Sequence, residues 1–353
     1  MISGIRTGSL LAALVLANLG AHAAALVTAE RSVTVMGTSL RVAVAARDRE
    51  AALAASESAI AEIRRVEDLL TTWRDDSPLA RLNAAPAGKP VVLDRELLSV
   101  LSEVFAWSAT TGRTFDPTVL PLVRAWDLRG AGRIPTSEAL AEAVAATGTD
   151  RFRFDRATAA ATRLDPEAGI DDGAWGKGYA LDRAALRLES AGDKNALLDL
   201  GGQVLTRGKN ADGNDWTVAV ADPRDRHRPV VVLTVKDLSA ATSGNSERRR
   251  EVSGRRIGHL LDPRTGAPAN DFGSVTVMAP SALIADVLST AFFVLGPQEG
   301  LALSAKLRQA GTKNEVLFLV EHGDALGAVA SPGIFPLVVS ADPSLVGLTP
   351  NRP

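Results

Sequence analysis

The sequence predicts an α+β fold: a single domain with a mixed, largely antiparallel sheet and helices packed against it. Three observations carry this reading. Apolar residues at helical spacing, three and four apart, recur through the first half. Short apolar or alternating runs crowd the second half, at Trp216–Ala221, Val230–Val235, Ala240–Ser243 and Val275–Met278. Strands and helices also lack the regular β-α-β beat of a doubly wound sheet.

In chain order, Arg31 to Ala46 alternates around Met36-Gly37-Thr38, which predicts a hairpin or a strand bent at Gly37. A long amphipathic helix follows, with Leu53, Ile60, Ile63, Val66 and Leu70 on its apolar face. Trp73 to Asn83 reads as a polar loop. Asp94 can cap a helix whose face is Leu97, Leu98, Leu101, Val104 and Phe105, ending near Gly112. Thr114 to Trp126 is bounded by prolines and enters a short helical turn, and Ser137 opens an Ala-rich helix. Arg151 to Leu164 reads as a hairpin with Arg156-Ala157 near its tip.

Ile170 to Gly178 is a glycine-rich turn running into a helix from Tyr179 to Ser190. A strand from Asn195 to Leu200 ends at Gly201-Gly202-Gln203. Late in the chain, a polar turn at Ser253-Gly254 precedes His259 to Gly266. Pro280 and Ser281 then open an apolar helix that Gly296 can close. A helix from Pro297 to Ala310, strands near Val316–Val320 and Leu326–Ala330, and a polar tail complete the chain.

Composition narrows the function classes. The 353 residues are 46% hydrophobic, ample for a core, and suit one large domain or two modest ones. A net charge of −2 leaves no basic excess for neutralising nucleic-acid phosphates. The absence of Cys excludes disulfides, thiolate metal sites, a thiol nucleophile and a lipidated Cys anchor. Arg6, the apolar run Leu10–Leu19 and Ala21-His22-Ala23 read as a secretory signal over residues 1–24, cleaved near Ala24 or Ala25. That run is shorter than the ~20 residues of a spanning helix. The expectation is an exported, periplasmic protein, soluble after cleavage and without a permanent membrane anchor.

Three stretches can carry chemistry. The apolar helix after Met278 holds one carboxylate, Asp286, and one hydroxyl, Thr290, four apart and so on one face. A lone Asp in such a helix costs several kcal/mol unless it is paired or holds a cation. A structural cap or ion pair and a hard-metal site of oxygen ligands, as Mg²⁺ requires, both satisfy that demand. Lys177 lies between two glycines just before a helix, where backbone N–H groups favour anions. The spacing fits neither a Walker motif nor G-x-G-x-x-G, so a plain loop and a phosphate cradle both stay open. His259, between Gly258 and an apolar pair, is either a structural side chain or a general base. No G-x-S-x-G elbow is present to make Ser, His and Asp a hydrolase triad.

The order of motifs is more specific than any one of them. It begins with Met36-Gly37-Thr38, Ser77 with Leu82-Asn83, and Phe115-Asp116-Pro117-Thr118. Asp171-x-Gly173, Lys177-Gly178-Tyr179-Ala180-x-Asp182, and Asn195-Ala196-Leu197 with Gly201-Gly202 follow. Thr242-Ser243-Gly244, His259-x-x-Asp262-Pro263-Arg264-Thr265-Gly266, Ala279-Pro280-Ser281 and Ala285-Asp286 with Thr290 complete it. This series resembles the FAD:protein FMN transferase family, also called ApbE, from about Arg31 to Val339. It implies a flavin transferase domain over 30–340 with a tail at 341–353, in an α+β arrangement related to the T-fold.

The resemblance implies a Mg²⁺-dependent enzyme, with one or two metal ions, that takes FAD as substrate. It joins FMN to a Thr hydroxyl of an exported flavoprotein acceptor and releases AMP. By resemblance, Ala174 (through its carbonyl), Asp286 and Thr290 match metal ligands, and His259 matches the base for the acceptor hydroxyl. Lys177 matches a catalytic and phosphate-binding position. Met36, Gly37, Thr38, Asp116, Asp182, Gly201, Gly202, Thr242 and Ser243 match positions around the flavin and phosphates. Two other functions fit the same residues: hydrolysis of FAD to FMN and AMP, and FAD binding without turnover. The chain departs from the family pattern at Asp172-Gly173-Ala174, at Trp175, at Gln203 and at Asn245-Ser246-Glu247. Asp172 in particular adds a carboxylate near the phosphates.

Overall fold

The computed structural model describes residues 26–245, 250–252 and 254–348. The expected export signal, Ser246, Glu247, Ser253 and residues 349–353 of the tail lie outside the described residues.

The chain opens with strands β1 (Val27–Val35) and β2 (Thr38–Ala46), paired around a Met36-Gly37 turn. Both turn residues have positive φ, 52° and 68°, as a tight hairpin of this twist requires. Helix α1 (Arg49–Leu70) starts at Asp48, whose side chain accepts the Ala51 N–H. Its buried seam runs through Ala52, Ala55, Ala59, Ile63, Val66 and Leu70, while Leu53, expected inside, sits on the exposed rim. The stretch read as a polar loop contains helix α2 (Pro78–Ala84). Ser77 caps it and Leu79 and Leu82 anchor it, a helix too short for its periodicity to stand out.

Strand β3 (Pro90–Val92), helix α3 (Arg95–Thr110, capped by Asp94), helix α4 (Leu120–Ala125) and helix α5 (Ser137–Ala146) follow. Helix α5 opens at Ser137 as expected, capped by Thr136, whose hydroxyl accepts the Ala139 N–H. Strands β4 (Phe152–Asp155) and β5 (Ala160–Arg163) form the expected hairpin. Helix α6 (Gly176–Ala191) starts three residues earlier than expected, so Lys177 and Gly178 belong to its first turn. Strands β6 (Ala196–Leu200) and β7 (Gln203–Arg207) turn at Gly201-Gly202.

Strands β8 (Trp216–Asp222), β9 (Asp225–Val235) and β10 (Ser239–Gly244) come next, then a small hairpin, β11 (Arg250–Val252) with β12 (Arg255–Ile257). Strand β13 (Gly273–Ala279) leads into helix α7 (Ala282–Gln309), which breaks at Gly296 where the sequence placed its end. Strands β14 (Glu315–His322), β15 (Ala325–Ala330) and β16 (Val338–Ala341) finish the fold. Of the tail beyond, Leu345 and Leu348 are buried, so its apolar side chains join the core.

The expected α+β architecture is observed. The main sheet has eight strands in the order β1-β2-β6-β7-β10-β13-β14-β15, every neighbouring pair antiparallel. Alternate residues of its strands enter different cores, as a period of two requires. Val275, Val277, Val316 and Phe318 pack with α1, α6 and α7, whereas Met278, Leu317 and Leu319 pack with β8, β9 and β16. A sheet covered on both faces explains why β13 is buried along its whole length. No helix among the described residues is long and apolar enough to cross a membrane.

Candidate active site at two helix N-termini

The first turns of α6 and α7 lie side by side and exchange carboxylates. Asp182, on α6, accepts the Ala282 N–H at 2.7 Å, the Leu283 N–H at 3.0 Å and the Ser281 hydroxyl at 2.6 Å. Asp286, on α7, accepts the Gly178 N–H at 3.0 Å. Such contacts satisfy orphan donors that each helix start would otherwise leave open. Gly178 is required here, since a Cβ would collide with the Ala282 carbonyl and come within 2.8 Å of the Leu283 Cα. Burial pushes the Asp182 carboxyl above its ordinary range, partly offset by its three donors.

The start of α7 is thus fully capped, with Ser281 Oγ accepting the Ile284 N–H as well. The start of α6 is not. Gly176 donates to Asp172 and Gly178 to Asp286, but the Lys177 N–H has no partner among the described residues. The Lys177 ammonium lies 3.4 and 3.5 Å from the two Asp286 oxygens. Asp286 is therefore a paired carboxylate, with its side chain only 8% exposed. Thr290, half-buried, is one turn further along the same face, and Ala174 lies in the turn entering α6.

Other predicted residues gather around this pair. The Met36 methyl lies 3.5 Å from where a Cβ of Gly176 would be, so the first hairpin turn covers the start of α6. Thr38 packs against Gly201, whose absent side chain makes room for it, bringing the Gly201-Gly202 turn to the same end. Ser243 reaches Asp286 through one intermediary. Its hydroxyl is 2.8 Å from Ser289 Oγ, which donates to the Asp286 carbonyl at 2.9 Å. With the Ser289 proton so engaged, Ser243 is the donor in the pair. Thr242, on the opposite strand face, is exposed and bonds Thr276.

Two predicted residues act inside the protein in this structure. Asp116 is buried, accepts the Thr118 N–H and hydroxyl, and pairs with Arg113. Next to it, the Pro117 carbonyl accepts the Asp171 N–H, so this segment braces the glycine-rich turn. Asp182 is the cap already described. His259, half-buried, follows Gly258 on a loop that rests on a small core of α4, α5 and β12. Trp126 Nε1 donates to the Gly266 carbonyl at 2.7 Å, pinning that loop. Asp262 caps its own turn and binds Arg264 through both oxygens.

The departures have structural reasons. Trp175 is fully buried and its indole N–H holds the Asp171 carbonyl at 2.8 Å, fixing the turn that a smaller residue would leave unfilled. Burial and the adjacent Asp171 push the Asp172 carboxyl up to about 7. Arg129 was not singled out by any sequence signal. It binds Asp171 at 2.5 Å and Thr72 at its carbonyl and hydroxyl, and stacks over the 72% exposed Trp73, 5.0 Å from the ring centroid. Ser289 was equally missed, although its place three residues after Asp286 is a helical contact spacing.

The chain is similar to known proteins along most of its length. The ApbE family model matches residues 36–312. A FAD:protein FMN transferase of Klebsiella pneumoniae (strain 342) is 32% identical over 304 residues, covering 84% of this chain and 85% of its own. One of Treponema pallidum (strain Nichols) is 35% identical over 294 residues, 77% and 80% of the two chains. The ApbE protein of Thermotoga maritima superposes with a TM-score of 0.79 at 30% identity, covering 87% of this chain and 97% of that one. The flavin transferase ApbE of Vibrio cholerae gives 0.77 at 28% identity, covering 88% and 99%. The chain belongs to the ApbE family.

Proposed function

We propose that this protein transfers FMN from FAD to a threonine hydroxyl of an exported acceptor protein, using Mg²⁺ and releasing AMP. The activity for which its relatives are named supports flavin transfer, and the leader-like residues 1–24 support an exported acceptor. The observation that carries the reading is the junction of Lys177 and Asp286 at the uncapped start of α6. A helix N-terminus with a free N–H and an ammonium is built for phosphate.

The donors fit a hard divalent cation. Asp286, Thr290 and the Ala174 carbonyl offer oxygen donors of the kind such an ion takes, and a bound ion would replace the Lys177 ammonium as the charge facing Asp286. Mg²⁺, when bound there, supplies Lewis-acid neutralisation of the pyrophosphate oxygens. The protein's own residues do the rest. The Lys177 N–H and ammonium hold the phosphates, and Gly178 keeps α7 close enough for Asp286 to share the site. An imidazole nitrogen of His259 takes the threonine proton as the threonine Oγ attacks the flavin-side phosphorus. The bond from that phosphorus to the bridging oxygen breaks, and AMP leaves with that oxygen.

The test is one incubation with FAD, Mg²⁺ and an exported threonine-bearing protein, followed by mass measurement. An added FMN mass is expected on the acceptor. Free FMN and AMP without that adduct would make the enzyme a FAD hydrolase instead, and unchanged FAD would leave only flavin binding.

A further inference from the structure

Arg129 stands in the tight loop after α4, and that loop is stiff. The Arg133 guanidinium donates to the Ala125 and Arg124 carbonyls, and the Arg133 N–H to the Trp126 carbonyl. From this base the Arg129 side chain spans two segments far apart in sequence. Its Nη1 donates to the Thr72 carbonyl at 2.9 Å, and its Nη2 to the Thr72 hydroxyl at 2.6 Å and to Asp171 Oδ2 at 2.5 Å. The Arg129 and Asp171 side chains are 26% and 14% exposed, so the pair is mostly withdrawn from the solvent that weakens surface ion pairs. Asp171 is the knot of the glycine-rich turn. Its N–H donates to the Pro117 carbonyl, its Oδ1 accepts the Gly173 N–H at 2.9 Å, and its carbonyl accepts the Trp175 indole at 2.8 Å. Residues 171–175 belong to no helix or strand, so contacts of this kind decide their shape. Thr72 directly follows Thr71, the C-cap of α1. Arg129 therefore ties the end of α1 to the turn that leads through Ala174 into Lys177.

We propose that Arg129 is a positioning residue for FAD: its clamp between Thr72 and Asp171 sets the shape of the turn before Lys177 ahead of substrate binding. The inference rests on the reading above that puts the pyrophosphate at Lys177. A guanidinium suits the task, because its planar fork serves several acceptors at fixed angles where an ammonium is a point charge. A turn held ready for its ligand loses less freedom on binding, and that saving appears as affinity. The same guanidinium stacks on Trp73, so one side chain orders both the turn and the exposed ring next to Thr72. Bound substrate can still draw a loosened turn into place, so the loss of the clamp falls on binding rather than on the chemical step.

The experiment compares the wild-type protein with Arg129→Ala, with Arg129→Lys, and with a double variant that carries Arg129→Ala and Asp171→Asn. AMP release from FAD, with Mg²⁺ and the threonine-bearing acceptor, gives KM and kcat. Flavin fluorescence gives FAD affinity without turnover, and thermal melting reports folding. In Arg129→Ala the KM for FAD and its dissociation constant should rise about tenfold, while kcat stays within about twofold of wild type. Arg129→Lys keeps the charge without the fork and should recover part of the affinity. Asp171→Asn keeps an acceptor for the Gly173 N–H and removes the carboxylate that Arg129→Ala strands. The double variant should therefore regain melting temperature and keep the raised KM. An unchanged KM in Arg129→Ala, with or without a fall in kcat, would overturn the positioning role. A KM restored in the double variant would overturn it too, by reducing Arg129 to a counter-charge. FAD that failed to bind the wild-type protein would remove the pyrophosphate reading and the role of Arg129 together, a failure seen before any variant is compared.

Discussion

Asp182 and Asp286 cap each other's helices. Each stands in the first two turns of its own helix and accepts main-chain N–H groups from the start of the other. The exchange locks the start of α6 against the start of α7 and ties the fold's stability to the geometry around Lys177. It also divides the labour: Asp182 serves three donors, whereas Asp286 serves one and keeps Lys177 beside it.

Asp182→Ala removes three charge-assisted hydrogen bonds and leaves the Ala282 and Leu283 N–H groups open in a partly buried place. A loss of about 2–4 kcal/mol is expected, more than a single exposed cap is worth. Urea unfolding of the variant measures it directly. Asp182→Asn, which can still accept from the α7 start, should lose distinctly less.

Asp286→Asn separates cap from charge. The amide oxygen can still accept the Gly178 N–H, so the fold should persist, while the charge that faces Lys177 is gone. FMN formation should fall by about 100-fold or more, on the several kcal/mol that metal neutralisation supplies. Mn²⁺ binding, followed by its EPR signal in place of Mg²⁺, should weaken in parallel. Unaltered Mn²⁺ affinity would refute Asp286 as a ligand.

How much of this was legible in the sequence depends on distance along the chain. Periodicity and caps gave α1, α3 and the break at Gly296, because each is decided by residues within a few positions. The α2 helix was missed because seven residues hold too little periodicity to outweigh a polar composition. At the site, the i, i+4 relation of Asp286 and Thr290 is local and could be read. That Asp286 would meet Gly178, 108 residues away, could not. The pairing of Asp182 with the α7 start is likewise tertiary: sequence reading placed that carboxylate near phosphates, and the structure turns it toward α7. Nothing local marks Arg129.

Gly178→Ala tests whether the close approach of the two helices matters. The new Cβ would meet backbone, the Ala282 carbonyl and the Leu283 Cα, which cannot swing aside as a side chain would. Despite the better helix propensity of Ala, a net destabilisation of about 1–3 kcal/mol is expected from overpacking. Separation of α7 from α6 should also lengthen the Gly178–Asp286 contact and lower FMN formation more than FAD binding. Thermal melting and a KM-against-kcat comparison distinguish the two effects.

Away from the site, Asp222 predicts the acid limb of stability. Hydrogen bonds from Arg224 hold its carboxyl below the ordinary carboxylate range, with its side chain 2% exposed and that of Arg224 31% exposed. A carboxyl depressed in the folded state binds its proton more readily when unfolded. Its contribution is therefore fully present above the unfolded value of 3.8 and is lost as pH falls through the folded value below it. Asp222→Asn should be about 1–3 kcal/mol less stable than wild type at neutral pH, given the partly screened partner. As pH falls below the folded-state value the two unfolding curves should converge, because the wild-type carboxyl is then protonated in both states. A gap that stays constant from neutral to strongly acid pH would show that packing, not charge, is what Asp222 contributes.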